Sequence, residues 1–183
     1  MAPLNDDSHD TTKLSIYNQV SSIAERFDPD FCLSICAEID SLCNLNLTLD
    51  HPPKGHEYYA RRKCGALMRV GRVHQYIFQS NLNISIECYD EALRLARQYG
   101  FGSIETACIG NLSQVYGYQG NYDKALEYLE LTLARARADT NRDFEATALD
   151  YIGAIYENKG DYPQALSMHQ EALKIYISLN DSL

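Results

Sequence analysis

The sequence predicts an all-α fold of stacked antiparallel helix pairs, and three observations carry that prediction. The stretch YGYQGNYDKA at Tyr116–Ala125 returns as YENKGDYPQA at Tyr156–Ala165, so Tyr116, Gly120, Tyr122 and Ala125 each recur 40 residues later. A fixed period of that size marks a stacked repeat. Apolar residues recur at helical spacing along the chain with no strand pattern. Turn chemistry concentrates where those runs stop, at Gly100-Phe101-Gly102, Gly120-Asn121 and Gly160-Asp161.

Taken in order, residues 1–11 are polar and acidic and read as a flexible tail. Residues 12–43 read as an N-terminal helical hairpin, either a cap or a diverged repeat. Its first stripe is Leu14, Tyr17, Val20, Ile23, Ala24 and Phe27. Asp28 is placed to cap the second helix, with Pro29 at the first helical position. The second stripe is Phe31, Leu33, Ile35, Cys36, Ile39, Leu42 and Cys43. The polar, Pro-containing residues 44–55 read as a loop. Residues 56–183 then hold three helix pairs, with helices expected at about 56–78, 82–99, 103–119, 122–138, 142–159 and 162–180. Asn121 and Asp161 are the expected N-caps, Thr140 with Asp143 resembles a capping box, and Pro163 falls in a first helical turn, where its missing N–H is tolerated.

Composition narrows the function classes. Of 183 residues, 45% are hydrophobic and 22% charged, an ordinary globular balance. A net charge of −9 argues against a nucleic-acid partner, whose backbone is held by cationic neutralisation. No apolar run approaches the length of a membrane span, and the first residues lack the regions of a signal peptide, so the expected location is cytoplasmic. The six cysteines include Cys32, Cys36 and Cys43 on one helical face. Without a CxxC pair or a neighbouring His they read as small buried thiols rather than a metal site. There is no HExxH, phosphate loop, dinucleotide fingerprint or GxSxG. No enzyme activity, cofactor or metal is expected.

Eight spaced positions recur in two units: Leu112, Ser113, Tyr116, Gly120, Tyr122, Ala125, Thr132 and Leu133, then Ile152, Gly153, Tyr156, Gly160, Tyr162, Ala165, Ala172 and Leu173. Small residues at Ser113 or Gly153 and at Ala125 or Ala165 let paired helices approach, and tyrosines fill the crossing. On these residues the chain resembles the tetratricopeptide repeat (TPR) family over about residues 56–180. The resemblance implies a right-handed superhelix of antiparallel helix pairs. The usual unit is 34 residues; the 40-residue period is similar to that of rapsyn, kinesin light chain and the Pins-like G-protein-modulator scaffolds. The first unit keeps the offset in its second helix, where Ala92-Leu93 matches Thr132-Leu133. Its first helix aligns two ways. Strict periodicity puts Arg72 in a core slot, whereas a shift of two puts Gly71 at the small-residue position. The shifted register is preferred because it buries no unpaired Arg, and it implies a longer loop near Ser80–Asn83.

In such arrays the first helix of each pair lines a concave groove. The resemblance to Pins-like scaffolds implies that Asn111 reaches into it and holds a peptide backbone, with Tyr151 and Arg69 at the matching positions of the other units. Helical spacing adds Arg72, Tyr76, Gln114, Tyr118, Asp150, Glu157 and Asn158. This set runs from basic to acidic and would complement an acidic-to-basic peptide; the alternative is a solvated face. The expected function is a non-catalytic scaffold or adaptor that binds an extended or helical segment of a protein partner. The alternative is a regulatory TPR segment of a longer signalling protein, controlling an effector domain absent from this chain. The last helix carries Leu166, Met168, Leu173, Ile175, Tyr176, Ile177 and Leu179 with no polar cap after it, so either the chain is a fragment of a longer array or a partner or second copy covers that face, and self-association or lability through about residues 166–180 is expected.

Overall fold

A computed structural model of the chain describes residues 7–52, 54–78 and 81–180. Among the described residues it is all-α, with eight α-helices and no strand. It divides into two compact units, Met1–Glu105 and Thr106–Leu183.

The first unit holds α1 (Asp7–Phe27), α2 (Pro29–Leu47), α3 (His56–Arg72) and α4 (Leu82–Tyr99), with the start of α5 (Gly102–Tyr118). Asp28 caps α2 as expected: its carboxylate accepts from the Phe31 N–H at 3.0 Å, with Pro29 opening the helix. Parts of the two apolar stripes meet in a core in which Leu14, Cys32, Ile39, Cys43, Tyr59 and Val73 are fully buried, whereas Ile23, Phe27 and Phe31 of those stripes are exposed. α2 runs on to Leu47, into the stretch expected to be loop. Its asparagines tolerate the helix because each finds a partner. Asn46 Nδ2 donates to the Leu42 carbonyl at 2.8 Å, and Asn44 joins Asp40 at 2.8 Å and Lys63 at 2.7 Å.

α3 continues into a π-helical segment, Val73–Phe78. The wider π turn accommodates inserted residues without ending the helix. The contacts match the shifted register. A Cβ on Gly71 would sit 2.5 Å from the Tyr89 ring, as one on Gly153 would sit 2.7 Å from the His169 ring. Gly71 thus plays in α3–α4 the close-approach part that Gly153 plays in its own pair. Ser85 Oγ donates to the Gly71 carbonyl at 2.9 Å, and the Tyr89 hydroxyl donates to Gln75 at 2.8 Å, locking the crossing with buried polar contacts. Of the longer loop expected near Ser80–Asn83, Ser80 lies outside the described residues, while Leu82 and Asn83 belong to α4.

The second unit contains the rest of α5, α6 (Tyr122–Ala138), α7 (Arg142–Lys159) and α8 (Tyr162–Asn180). Its turns repeat one device, a left-handed residue closing one helix and an Asn or Asp capping the next. Gly120 (φ 74°) precedes Asn121 and Gly160 (φ 78°) precedes Asp161; these caps accept from the N–H groups of Lys124 and Gln164, each at 3.3 Å. The capping box expected at Thr140 and Asp143 does not form. Thr140 (φ 53°) takes the left-handed position itself, and Asn141 is the cap, accepting from the Phe144 N–H at 3.2 Å. The period points to the shift, since Thr140 lies 40 residues after Gly100, which holds the left-handed position (φ 71°) after α4.

The small residues Ser113, Ala125, Gly153 and Ala165 are buried as the packing argument requires. Tyr116 stacks on Tyr128 with centroids 5.7 Å apart, and Lys124 lies over the Tyr116 ring. On α8, Ile175 is buried while Leu166, Leu173 and Ile177 are more than half exposed.

Candidate functional site

The second unit carries a furrow on its two first helices, α5 and α7. It has two lobes of about 230 and 340 Å³, and Tyr151 and Leu129 line both. The helical period aligns Asn111, Gln114 and Tyr118 at intervals of three to four residues on α5, and Tyr151 and Asn158 seven apart on α7. These five expected site residues all line the furrow: Asn111 in the smaller lobe, Gln114, Tyr118 and Asn158 in the larger, and Tyr151 between. Fully buried Leu129 on α6 contributes to the lining of both lobes. Gly110 and Gly117 keep the α5 wall low, so that the Tyr151 ring and Ile155 approach its backbone. Thr106, Thr132, Phe144 and Thr147 also line the smaller lobe and were not anticipated. Their signal is weak in sequence, because Thr132 belongs to the second helix of its pair.

Asp150 and Glu157 lie elsewhere. Both turn to α8, where His169 Nδ1 sits 2.8 Å from Asp150 and Nε2 sits 3.8 Å from Glu157. The acidic end of the expected charge gradient is therefore a polar cluster on His169 between paired helices.

The first-unit candidates are engaged within that unit. Arg72 Nε and Nη2 donate to the two carboxylate oxygens of Glu25 on α1 at 2.6 and 3.0 Å, and this bidentate bond raises the guanidinium pKa. Arg72 and Tyr76 line a separate cleft of about 550 Å³ with Ile23 and Phe27 of α1. Arg69 is drawn inward beside Gly65 and Asn18; its Nη1 is buried without a hydrogen-bond partner among the described residues, and burial lowers its pKa.

Paired charges repeat with the helices. Arg97 Nε donates to Glu105 at 3.0 Å, and 40 residues later Arg137 Nε donates to Glu145 at 2.9 Å. In each case a half-exposed Arg near the end of one pair covers a buried carboxylate near the start of the next helix. Glu145 also takes Arg142, and these arginines hold its carboxyl below the usual glutamate range. An Arg eight residues before a Glu, twice at the repeat period, is the sequence signal that would have found the device.

The cysteines are all free. Burial pushes Cys36 and Cys43 up to about 12 and Cys64 and Cys88 up to about 11, so these thiols are protonated and poorly nucleophilic. Among the described residues no cluster of His, Cys, Asp or Glu is arranged to hold a metal, and no helix is long and apolar enough to cross a membrane.

The family model described as "Tetratricopeptide repeat" matches residues 64–138 and 105–178. Among solved structures, the chain is similar to BtubC (BKLC) from P. vanneervenii at 16% identity, with a TM-score of 0.60 over 91% of this chain and 72% of that one. It also aligns with MamA protein at 18% identity and a TM-score of 0.47, over 89% of this chain and 91% of that one. No curated protein matches the sequence.

Proposed function

The chain belongs to the tetratricopeptide repeat family, and from that premise we propose that it is a non-catalytic scaffold or adaptor that captures a segment of a protein partner in the α5–α7 furrow. One observation carries the reading: three side-chain amides, Asn111, Gln114 and Asn158, line two adjoining apolar lobes. An amide supplies both donor and acceptor, so it pairs with a peptide unit whatever the partner's side chains are. The lobes bury those side chains and supply the hydrophobic part of the affinity. Six free cysteines support a reducing compartment such as the cytoplasm.

A pull-down from cell extract tests the reading, comparing wild type with the double variant Asn111→Ala and Tyr118→Ala. The furrow predicts loss of specific partners by the variant, whereas equal retention of the same proteins by both would refute it.

A second reading is favoured by the exposed stripe Leu166, Leu173 and Ile177 on α8. Three large apolar side chains on one helix face support self-association through this element. Light scattering over a concentration series checks it: Leu173→Gln should lower the apparent mass, and a wild type that stays monomeric throughout removes the idea.

A further inference from the structure

The furrow differs from the rest of the chain in its charge. Over the whole sequence 22% of residues are charged, yet among the described residues none that lines either lobe carries a charge. This neutrality arises largely by diversion. α5 contains a single charged residue, Glu105, near its start, and Arg97 covers it. On α7, Glu145 is held by Arg137 and Arg142, Asp150 and Glu157 turn to His169, and Lys159 reaches Asp123 on α6 at 3.1 Å. What lines the furrow is amide, hydroxyl, aromatic and aliphatic.

A carboxylate or ammonium entering this lining would shed its water and meet no counter-charge, which is strongly unfavourable. An uncharged segment meets the reverse, with amides for its backbone and apolar lobes for its side chains. The lobes are also too small and open to suit a compact ligand. At about 230 and 340 Å³ they lie below or near the low end of the roughly 300–1,000 Å³ of small-molecule sites. Two shallow lobes divided by the Tyr151 ring suit successive same-side residues of an extended chain.

Resting on the furrow reading above, we infer that its occupant is an uncharged extended peptide segment. The segment carries apolar side chains for the two lobes and no Asp, Glu, Lys or Arg across its contact length. The furrow selects by excluding charge, which is specificity through penalty rather than through complementary ion pairs. This replaces the acidic-to-basic peptide expected from the sequence.

The test is a phage-displayed random peptide library panned on the full chain, followed by titration of the selected peptides by fluorescence anisotropy. Ala154 lines the larger lobe, so Ala154→Asp and Ala154→Lys place either charge in the furrow. Circular dichroism checks the helicity of each variant, and Gln114→Glu on the opposite wall replaces any that unfolds. The expected peptides have an uncharged apolar contact segment. Their affinity changes less than about twofold between ~0.1 and ~1 M salt, because there is no ion pair to screen. It falls by about tenfold or more on both charged variants. Selected peptides with charged contact segments that both variants still abolish would overturn the neutral occupant and leave the furrow standing. Binding that neither variant weakens, or no enrichment at all, would overturn the furrow itself.

Discussion

Replacing Gly71 with alanine tests the register of the first repeat, and the magnitude can be worked from the crossing. The new Cβ would lie 2.5, 2.7 and 3.0 Å from three carbons of the Tyr89 ring. Carbon atoms in contact sit about 3.5–4.0 Å apart, so ring and helix must separate by about 1 Å. Tyr89 cannot withdraw, since it is fully buried and its hydroxyl is bonded to buried Gln75. Overpacking of this kind costs about 1–3 kcal/mol, here at the upper end. Alanine returns about 1 kcal/mol of helix propensity, leaving a net loss of about 2 kcal/mol. The other glycines supply controls of different sign. At Gly153 the obstacle is His169, at 2.7 Å. That side chain is 32% exposed and can swing aside, giving up its contact with Asp150. Such an exposed pair is worth about 0.5 kcal/mol, so Gly153→Ala should be close to neutral. At Gly110 the nearest atom is a Tyr151 ring carbon at 3.6 Å, an ordinary contact, and alanine should stabilise by about 1 kcal/mol. Urea denaturation followed by far-UV circular dichroism ranks the three. If Gly71→Ala proves as stable as Gly110→Ala, then Gly71 is not the close-approach residue and the shifted register is wrong.

Further predictions concern the charges, the turns and the thiols. Glu145→Gln should cost about 2 kcal/mol near neutral pH, between the values for buried and exposed pairs, because the carboxylate is buried while its arginines are half exposed. The folded carboxyl titrates below its ordinary value, so its contribution is complete above about pH 4.3 and disappears as pH falls through the folded value. Denaturation midpoints of wild type and variant should therefore converge in acid, and a gap that persists there would mean that charge is not the cause. Thr140→Gly should raise stability by about 0.5–1 kcal/mol, since a β-branched residue at φ 53° carries a cost that glycine lacks. A lower thermal midpoint would contradict this account of the turn. Thiol titration with a chromogenic disulfide should leave Cys36, Cys43 and Cys64 unreacted in the folded chain and release them on denaturation. Rapid native reaction of any of the three would show that its burial is not sustained.

The elements legible in the sequence are those specified locally. Asp28-Pro29, Asn121 and Asp161 each act within one helical turn, so the caps could be read residue by residue. The 40-residue period carried the small-residue positions from Gly153 to Ser113, and the cost of burying an unpaired Arg72 carried them to Gly71. Thr140 escaped that logic because a capping box is a local pattern. The competing pattern was the period itself, which aligns Thr140 with Gly100. Long polar side chains were the least legible. Arg72 is satisfied by Glu25, 47 positions away, and no helical stripe contains that fact. The Arg97–Glu105 and Arg137–Glu145 pairs span only eight residues and recur at the period; they were readable.

The furrow marks the boundary between these two cases. On α5 its character could be read directly, because from Thr106 to Tyr118 the helix has no charged residue. On α7 it could not, because Asp150 and Tyr151 are neighbours in sequence and only about 100° apart around the helix. Both fall on the broad face that spacing assigns to the groove. Only the position of His169 on the next helix separates them, drawing Asp150 towards α8 while Tyr151 divides the lobes. A helical period resolves which half of a helix faces inward. Whether an inward residue faces a ligand or the next helix depends on what that helix offers as a partner, so Arg72 went to Glu25 and Asp150 and Glu157 to His169 while the uncharged residues of α5 and α7 were left to line the furrow.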